Sequence, residues 1–192
     1  MAHMLKPTSI DGVFEIQTDI FNDQRGSFVN FFRSSEKAFK NCWFDKEIKQ
    51  VNLSQNSLKG TLRGLHYQLN PHAEMKMVRC IKGCVWDVAV DLREDSSTYL
   101  SWHCVELSPK FANAIVIPEG CAHGFQVLED DSELLYLHSG EWIKESETGI
   151  RWNDPQIAIS WPLQAVNLSE RDKKRKKRTM LKSLNDWQEK GW

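Results

Sequence analysis

Residues 84–92, CVWDVAVDL, alternate between two sets of side chains along their whole length. A period of two is typical of a β-strand, in which successive side chains point to opposite faces of a sheet. The first set is Trp86, Val88, Val90 and Leu92, and the second is Val85, Asp87, Ala89 and Asp91. The segment therefore predicts a β-strand near the middle of the chain.

Segments of similar length and character precede and follow this strand. MKMVRCIKG comes before it, and the segments after it are YLSWHCVEL, AIVIPEG, AHGFQVLED and ELLYLHSGE. Turn-forming sequences such as REDSST and SPKFAN separate them at intervals of about ten residues, which is typical of an antiparallel sandwich or barrel. The chain shows neither a βαβ rhythm nor a glycine-rich phosphate loop. We therefore predict an all-β fold with one short helix within residues 31–44.

The chain divides into a long β-rich part and a short basic tail. Its 192 residues, 41% of them hydrophobic, suffice for one domain with a substantial core, which we place at residues 5–172. The tail, residues 173–192, begins with KKRKKR and continues as a weakly amphipathic helix. Because the chain has 25 basic and 26 acidic residues, we expect no nucleic-acid partner and interpret the basic run as a solvated tail beside an anionic ligand site.

The cysteines and the apolar runs indicate the compartment. The chain has five cysteines, an odd number without a CxxC pair, which favours reduced thiols over a disulfide framework or a zinc site. Its apolar runs are shorter than a membrane span, and it shows no signal-peptide pattern. We therefore expect a cytoplasmic protein with no membrane association.

Polar side chains recur inside the predicted strands. GTLRGLHYQ, residues 60–68, places Arg63, His66 and Gln68 among apolar residues, and later strands add further polar groups: Lys76, Asp87, His123 and Tyr136. A small barrel with a solid core would not place polar groups in so many strands, whereas a barrel with a polar mouth would. We therefore predict a cupin-type antiparallel jelly roll with short peripheral helices and a helix in the C-terminal tail.

The metal signature of cupins is incomplete in this chain. PEGCAH, residues 118–123, supplies His123, but Gln68 stands in HYQ where a metal-binding cupin has its second histidine. An amide is a poor transition-metal ligand beside imidazole. We therefore predict no metal, and keep a metal-dependent cupin as an alternative.

Six motifs in order resemble one family. The motifs are DQRGSFVNFFR, GTLRGLHYQ, MKMVRCIKGCVWDVAVDLR, IPEGCAHGFQVL, GIRWNDPQIAISWP and NLSERD. Across about residues 10–172 they resemble the dTDP-4-dehydrorhamnose 3,5-epimerase family. The resemblance implies a homodimeric jelly roll without metal or cofactor. It also implies a nucleotide diphosphate-linked 4-keto-6-deoxyhexose as substrate, made in the cytoplasm for bacterial surface polysaccharide.

The resemblance assigns four catalytic residues. The 4-keto group of such a substrate acidifies the C–H bonds at C3 and C5, so inversion needs a base, an enolate-stabilising cation and an acid on the other face. His66 takes the role of base and Asp172 orients its ring. Lys76 faces the C4 oxygen, and Tyr136, protonated near neutral pH, is the opposing acid.

The resemblance also assigns substrate-binding residues. Arg25, Arg63 and Arg171 would contact the diphosphate, and the remaining residues would line the sugar or nucleotide site: Phe28, Asn30, Gln50, Asn52, His123 and Trp142. Asp87 would support the pocket, together with His123, through hydrogen bonds. A sugar-nucleotide-binding cupin without activity is the third class of function, and it would lack the base, the lysine or the acid.

Two positions depart from the family pattern. Trp142 stands where the family usually has a tyrosine, which leaves open whether C3, C5 or both are epimerised. Asn30 replaces the usual glutamate of the N-terminal motif. An amide offers one donor and one acceptor and so matches the edge of cytosine, which makes a CDP-linked sugar the alternative to a dTDP-linked one.

Overall fold

The computed structural model describes residues 3–175 of the chain. Within them, thirteen strands and two short helices follow one another along the sequence. They are β1 (His3–Pro7), β2 (Phe14–Thr18), β3 (Ile20–Asp23), β4 (Gly26–Val29), α1 (Lys37–Trp43), β5 (Gln50–Asn56), β6 (Leu62–Gln68), β7 (Lys76–Lys82), β8 (Val85–Asp91), β9 (Trp102–Leu107), β10 (Asn113–Ile117), β11 (Cys121–Val127), β12 (Ser132–His138), β13 (Glu147–Gly149) and α2 (Glu170–Lys174).

The strands form two antiparallel sheets and a separate hairpin. The six-stranded sheet has the order β1-β2-β10-β7-β12-β5, and the five-stranded sheet has the order β13-β6-β11-β8-β9. β3 and β4 pair with each other in a two-stranded sheet of their own. Every pairing between these strands is antiparallel, which confirms the predicted all-β fold.

The alternation of residues 84–92 divides the core as predicted. Val85 and Ala89 belong to the central apolar cluster, together with residues of the six-stranded sheet such as Val78 and Ile115. Val88 and Val90 face the other side of β8 and pack in a second cluster. Because the two faces bury different partners, a shift of β8 by one residue would place each set of side chains in the wrong cluster.

The predicted short helix is confirmed as α1. Phe39, Cys42 and Trp43 are buried, and they pack on Met77 and Val116 of the six-stranded sheet. Full burial of a large apolar side chain stabilises a fold by about 1.5–3 kcal/mol, so this helix is anchored mainly by its two aromatic rings.

A glycine allows β6 to approach β11 closely. Gly64 has a φ of 123°, and a Cβ atom there would lie 2.6 Å from Cα of Gly124. A larger residue would therefore be strained and would push the two strands apart. The approach aligns His66 of β6 with His123 of β11 as cross-strand partners.

The C-terminal part of the described chain is the short helix α2. Ser169 caps it by accepting a hydrogen bond from the N–H of Asp172. Residues 173–175 of the basic tail are described, whereas the rest of the predicted tail helix lies outside the described residues. Over residues 3–175, the helices are too short to cross a membrane.

Candidate active site

A cavity of about 500 Å³ is lined by residues of both sheets. His66 and His123 belong to the five-stranded sheet, and Lys76 and Tyr136 belong to the six-stranded sheet. Asp172, the remaining predicted catalytic residue, lies against His66. The fold thus brings together all four predicted catalytic residues. It also places the predicted base and the predicted acid on opposite sheets, as inversion at carbon requires.

His66 and Asp172 form a hydrogen-bonded pair. His66 Nε2 lies 2.6 Å from Asp172 Oδ1, and the aspartate side chain is 3% exposed. Burial opposes ionisation of Asp172, but the hydrogen bond with His66 outweighs it and lowers the pKa of the carboxyl below its ordinary value. An ionised Asp172 binds the Nε2 proton of His66. Nδ1 therefore keeps the lone pair that a general base needs.

Tyr136 remains protonated near neutral pH. Loss of solvent deep in the cavity raises the pKa of its phenol, and the negative charge of Asp87 raises it further. Its ring makes a T-shaped contact with the ring of His123 at a centroid distance of 6.0 Å. The group is therefore poised to donate a proton.

His123 and Asp87 form a second histidine–carboxylate pair. His123 Nε2 lies 3.0 and 2.9 Å from the two carboxylate oxygens, and Asp87 is fully buried. The side chain of His123 is 6% exposed, against 24% for His66. Geometry therefore gives His66 the better access to a substrate and gives His123 a fixed place in the wall.

Two residues that sequence reasoning missed lie beside Lys76. Glu74 is 3.4 Å from the Lys76 ammonium and 3.0 Å from Nδ1 of His138, and both of these residues line the cavity. Each precedes or follows a predicted site residue by two positions: Glu74 comes before Lys76, and His138 comes after Tyr136. Because side chains two apart in a strand share a face, this spacing could have identified His138, which shares β12 with Tyr136, whereas Glu74 lies just before β7 begins.

Gln68 is engaged in a network of backbone contacts. Its Nε2 donates to the carbonyl oxygens of His72 and Glu141, each at 3.0 Å, and its Oε1 accepts from the N–H of Ile143 at 2.6 Å. The amide therefore fastens the loop after β12 to β6. Within residues 3–175, His, Cys, Asp and Glu side chains do not gather in threes that could hold a metal ion.

Several predicted binding residues lie at the cavity, and Gln50 supports one of them. The lining includes Arg63, Asn52, Trp142 and Arg171. Arg171 forms an ion pair with Glu147. Gln50 lies outside the lining, and its side-chain oxygen accepts a 2.8 Å hydrogen bond from the N–H of Trp142.

The N-terminal motif lies away from the cavity of its own chain. Arg25 is 91% exposed and bonds Asp23 within the β3–β4 hairpin, and Phe28 is 58% exposed. Asn30 follows the hairpin, and its Oδ1 is buried without a hydrogen-bond partner among the described residues. One chain therefore does not bring these three predicted residues to the catalytic group, because the hairpin pairs only with itself in residues 3–175.

Comparison with known proteins identifies the family. The sequence model of the dTDP-4-dehydrorhamnose 3,5-epimerase family matches residues 7–179. A dTDP-4-dehydrorhamnose 3,5-epimerase from Shigella flexneri is 45% identical over 166 residues, which cover 86% of this chain and 90% of that protein.

Solved structures agree with the sequence relatives. The 4-keto-6-deoxy sugar epimerase of the novobiocin gene cluster of Streptomyces spheroides matches with a TM-score of 0.86 at 35% identity, over 91% of this chain and 87% of that one. The 3,5-epimerase of Legionella pneumophila, solved with dTDP-4-keto-L-rhamnose, matches with a TM-score of 0.85 at 37% identity, over 91% and 92%. With its predicted catalytic residues at one cavity, the chain belongs to the dTDP-4-dehydrorhamnose 3,5-epimerase family, whose members are isomerases with this cupin-type fold.

Proposed function

We propose that this protein inverts C3, C5 or both carbons of a dTDP-linked 4-keto-6-deoxyhexose. The observation that carries the proposal is the placement of the His66–Asp172 pair and Tyr136 on facing sheets of one cavity that also holds Lys76. A base and an acid that approach from opposite faces are what inversion at a carbon requires.

Each inversion is a two-step proton transfer. His66 Nδ1 removes the proton from the carbon next to the ketone, and the electron pair of that C–H bond becomes the enolate, with charge on the C4 oxygen. The ammonium of Lys76 stabilises that charge. Tyr136 then gives its proton to the opposite face, and the electron pair returns to form the new C–H bond. Exchange with water restores the neutral imidazole and the phenol.

We assign the diphosphate to the guanidinium groups at the cavity. Arg63 and Arg171 both line it, and arginine matches phosphate oxygens in pairs. The choice of dTDP follows the relatives, among them the Legionella pneumophila enzyme that was solved with a dTDP-linked sugar. Asn52 and Trp142 are proposed to contact the sugar from the cavity wall.

We propose that the protein is a homodimer in which the hairpin serves the partner's site. Phe21 and Phe28 on the hairpin are 44% and 58% exposed, and Val51 and Leu53 on edge strand β5 are 56% and 54% exposed. Joining these apolar surfaces between two copies would remove both from water. The same contact would bring Arg25 to the cavity of the other chain.

Mixed dimers test this arrangement. Arg25→Ala and His66→Ala are each expected to be inactive, and a mixture of the two is expected to recover about a quarter of wild-type activity, since one site of a mixed dimer has both intact residues. A monomer in solution, or no recovery after subunit exchange, would contradict the shared site.

We propose further that the reaction runs without a metal, in the cytoplasm. The side-chain amide of Gln68 is hydrogen-bonded to backbone groups, which leaves it a poor metal ligand. The five cysteines are free thiols, which suits a reducing compartment. Activity should survive EDTA. Loss on chelation, restored by one divalent ion, would favour the metal-dependent alternative.

The decisive experiment follows proton exchange directly. dTDP-4-keto-6-deoxyglucose is incubated with the enzyme in deuterated water and monitored by proton NMR. We expect the signals of C3–H, C5–H or both to disappear and a new stereoisomer to appear. Unchanged substrate would refute the reaction, whereas binding without exchange would favour a sugar-nucleotide-binding protein.

A further inference from the structure

Glu74 and His138 form a third histidine–carboxylate pair at the cavity, next to Lys76. Glu74 Oε2 lies 3.0 Å from His138 Nδ1, and Glu74 Oε1 lies 3.4 Å from Lys76 Nζ. The three side chains are 6–10% exposed. The carboxylate therefore holds a buried ammonium on one side and an imidazole on the other.

The pair continues into edge strand β5 through two side-chain amides. Asn52 Nδ2 lies 3.3 Å from His138 Nε2, and Gln50 Nε2 donates to Asn52 Oδ1 at 3.0 Å. The backbone N–H of Trp142 donates to Gln50 Oε1 at 2.8 Å. Hydrogen bonds thus connect the backbone at Trp142 with Glu74, whose carboxylate forms an ion pair with Lys76.

The register of the six-stranded sheet builds this chain. His138 is the direct cross-strand partner of Lys76 on one side and of Gln50 on the other. Directly opposite residues of antiparallel strands point to the same face, so the three side chains meet in one row across the sheet. Asn52, two residues along β5, lies on the same face.

The two ends of the chain set the direction of every bond between them. A backbone N–H only donates, and an ionised carboxylate only accepts. Gln50 and Asn52 must each accept on oxygen and donate from nitrogen, so His138 accepts on Nε2 and donates from Nδ1. The arrangement selects the neutral ring with its proton on Nδ1. A protonated ring would set an N–H of His138 against the NH₂ group of Asn52.

Glu74 is the charged member that orders the pair. Burial opposes its ionisation, but the hydrogen bond from His138 and the charge of Lys76 outweigh burial and lower the pKa of the carboxyl. The charged and titratable groups that face His138 are Glu74, Lys76 and, stacked at 5.9 Å on its own strand, Tyr136. Strand β5 presents neutral amides to it.

Lys76 needs such an anchor to act on an enolate. Its ammonium is a point charge on a flexible stem, which has no preferred position of its own. Desolvation in a buried site also favours loss of the proton from an unpaired ammonium. Glu74 supplies a fixed contact and a compensating charge, and the bond to His138 fixes Glu74 in turn.

We propose that Glu74 and His138 are positioning residues for Lys76 in the epimerase reaction. Glu74 holds the ammonium where charge develops on the C4 oxygen, and His138 ties that pair through Asn52 and Gln50 to the wall of the cavity. The inference rests on the proposed reaction, in which Lys76 stabilises the enolate.

Removal of the Glu74 charge tests the role, with Glu133→Gln as the matched control. Glu133 lies at the end of β12 opposite to His138, outside the cavity lining. We expect Glu74→Gln to lower kcat for deuterium exchange about ten- to a hundredfold, with KM changed less than about threefold. Glu133→Gln should match wild type.

A double variant shows whether Glu74 acts through Lys76. In a Lys76→Met background, Glu74→Gln should change the residual kcat by less than about twofold, since the group that it positions is gone. An undiminished effect in that background overturns the positioning role. So does a folded Glu74→Gln enzyme whose kcat matches that of wild type.

Two further observations separate this inference from the reaction itself. Failure of the wild-type enzyme to exchange substrate protons refutes the reaction, whereas normal wild-type exchange with an unaffected Glu74→Gln variant refutes only the positioning role. Nitrogen-15 NMR of labelled histidine rings, assigned with His138→Phe, reports on the hydrogen-bond chain without turnover. We expect the proton of the His138 ring on Nδ1, and a ring protonated on Nε2 overturns the proposed chain.

Discussion

His66 and His123 are direct cross-strand partners, yet each ring bonds a different carboxylate. His66 bonds Asp172, which comes from the C-terminal helix α2, and His123 bonds Asp87, which comes from the neighbouring strand β8. The two rings are therefore set side by side with different access to the cavity. The more exposed ring, His66, is the one that a substrate carbon can reach.

This arrangement predicts that His66→Ala abolishes deuterium exchange at every carbon. A single base serves whichever carbons react, and loss of a general base costs about 10²–10⁴-fold in rate. Proton NMR in deuterated water measures the exchange. His103→Ala, which removes a histidine bonded to Glu15 away from the cavity, is the control and should keep wild-type rates. Near-normal exchange in His66→Ala would remove His66 from the mechanism.

Tyr136→Phe should impair inversion more than exchange. Without the phenol, His66 still abstracts the proton and returns a deuteron to the same face, so label enters while the configuration is retained. The ratio of inverted product to total deuterium incorporation measures this partition. Equal losses of exchange and inversion would show that Tyr136 is not the opposing acid.

Acidification should erase the stabilisation that Asp172 provides. Its folded-state pKa is lowered, so its contribution is fully present above the unfolded-state pKa of about 3.9 and is lost as pH falls through the lower folded-state value. The free energy of unfolding of wild type should exceed that of Asp172→Asn at pH 5. The difference between the two unfolding free energies should be smaller at pH 3. Urea titrations at the two pH values measure it. A gap that widens on acidification would contradict the sign of the shift.

Trp142 is expected to make the two carbons unequal. It lines the cavity at a position where the family resemblance leads us to expect a hydroxyl-bearing aromatic residue, so we predict that one of C3 and C5 exchanges much more slowly in the wild-type enzyme. Trp142→Tyr should speed the slower carbon, and Trp142→Phe, which adds no hydroxyl, should not. Equal rates at both carbons in the wild type would refute this role of Trp142.

Asn30 provides a test of the nucleotide. If the Asn30 amide hydrogen-bonds to the base, Asn30→Glu should shift the preference toward dTDP over CDP by about tenfold in kcat/KM. A carboxylate accepts a hydrogen bond from thymine N3–H, whereas it repels the acceptor nitrogen of cytosine. Loss of one such polar match costs about 1–3 kcal/mol. The comparison uses the dTDP- and CDP-linked 4-keto-6-deoxyglucoses side by side. A clear dTDP preference in wild type, unchanged by the substitution, would end the CDP hypothesis.

The polar positions inside the strands could be read from the sequence, and the family resemblance predicted their roles. His66, Lys76 and Tyr136 interrupt apolar strands, and the structure places all three at one cavity. Glu74 and His138 lie two positions from Lys76 and Tyr136, respectively, but they were not identified from the sequence. Their partnership joins residues 64 positions apart, and the alternation within one strand carries no information about which strand lies beside it.

The amino-acid sequence by itself determined the β-strand pattern and the two faces of residues 84–92, since these depend on local period. The roles of the reacting groups were predicted from the resemblance of the sequence motifs to one family. Tertiary structure alone decided what each group touches. It paired His66 with Asp172 across 106 positions, placed Gln50 just outside the cavity lining, where it holds the backbone of Trp142, and set Arg25 on a hairpin away from its own site. Such contacts depend on strand register and sheet order, which are properties of the whole packed chain.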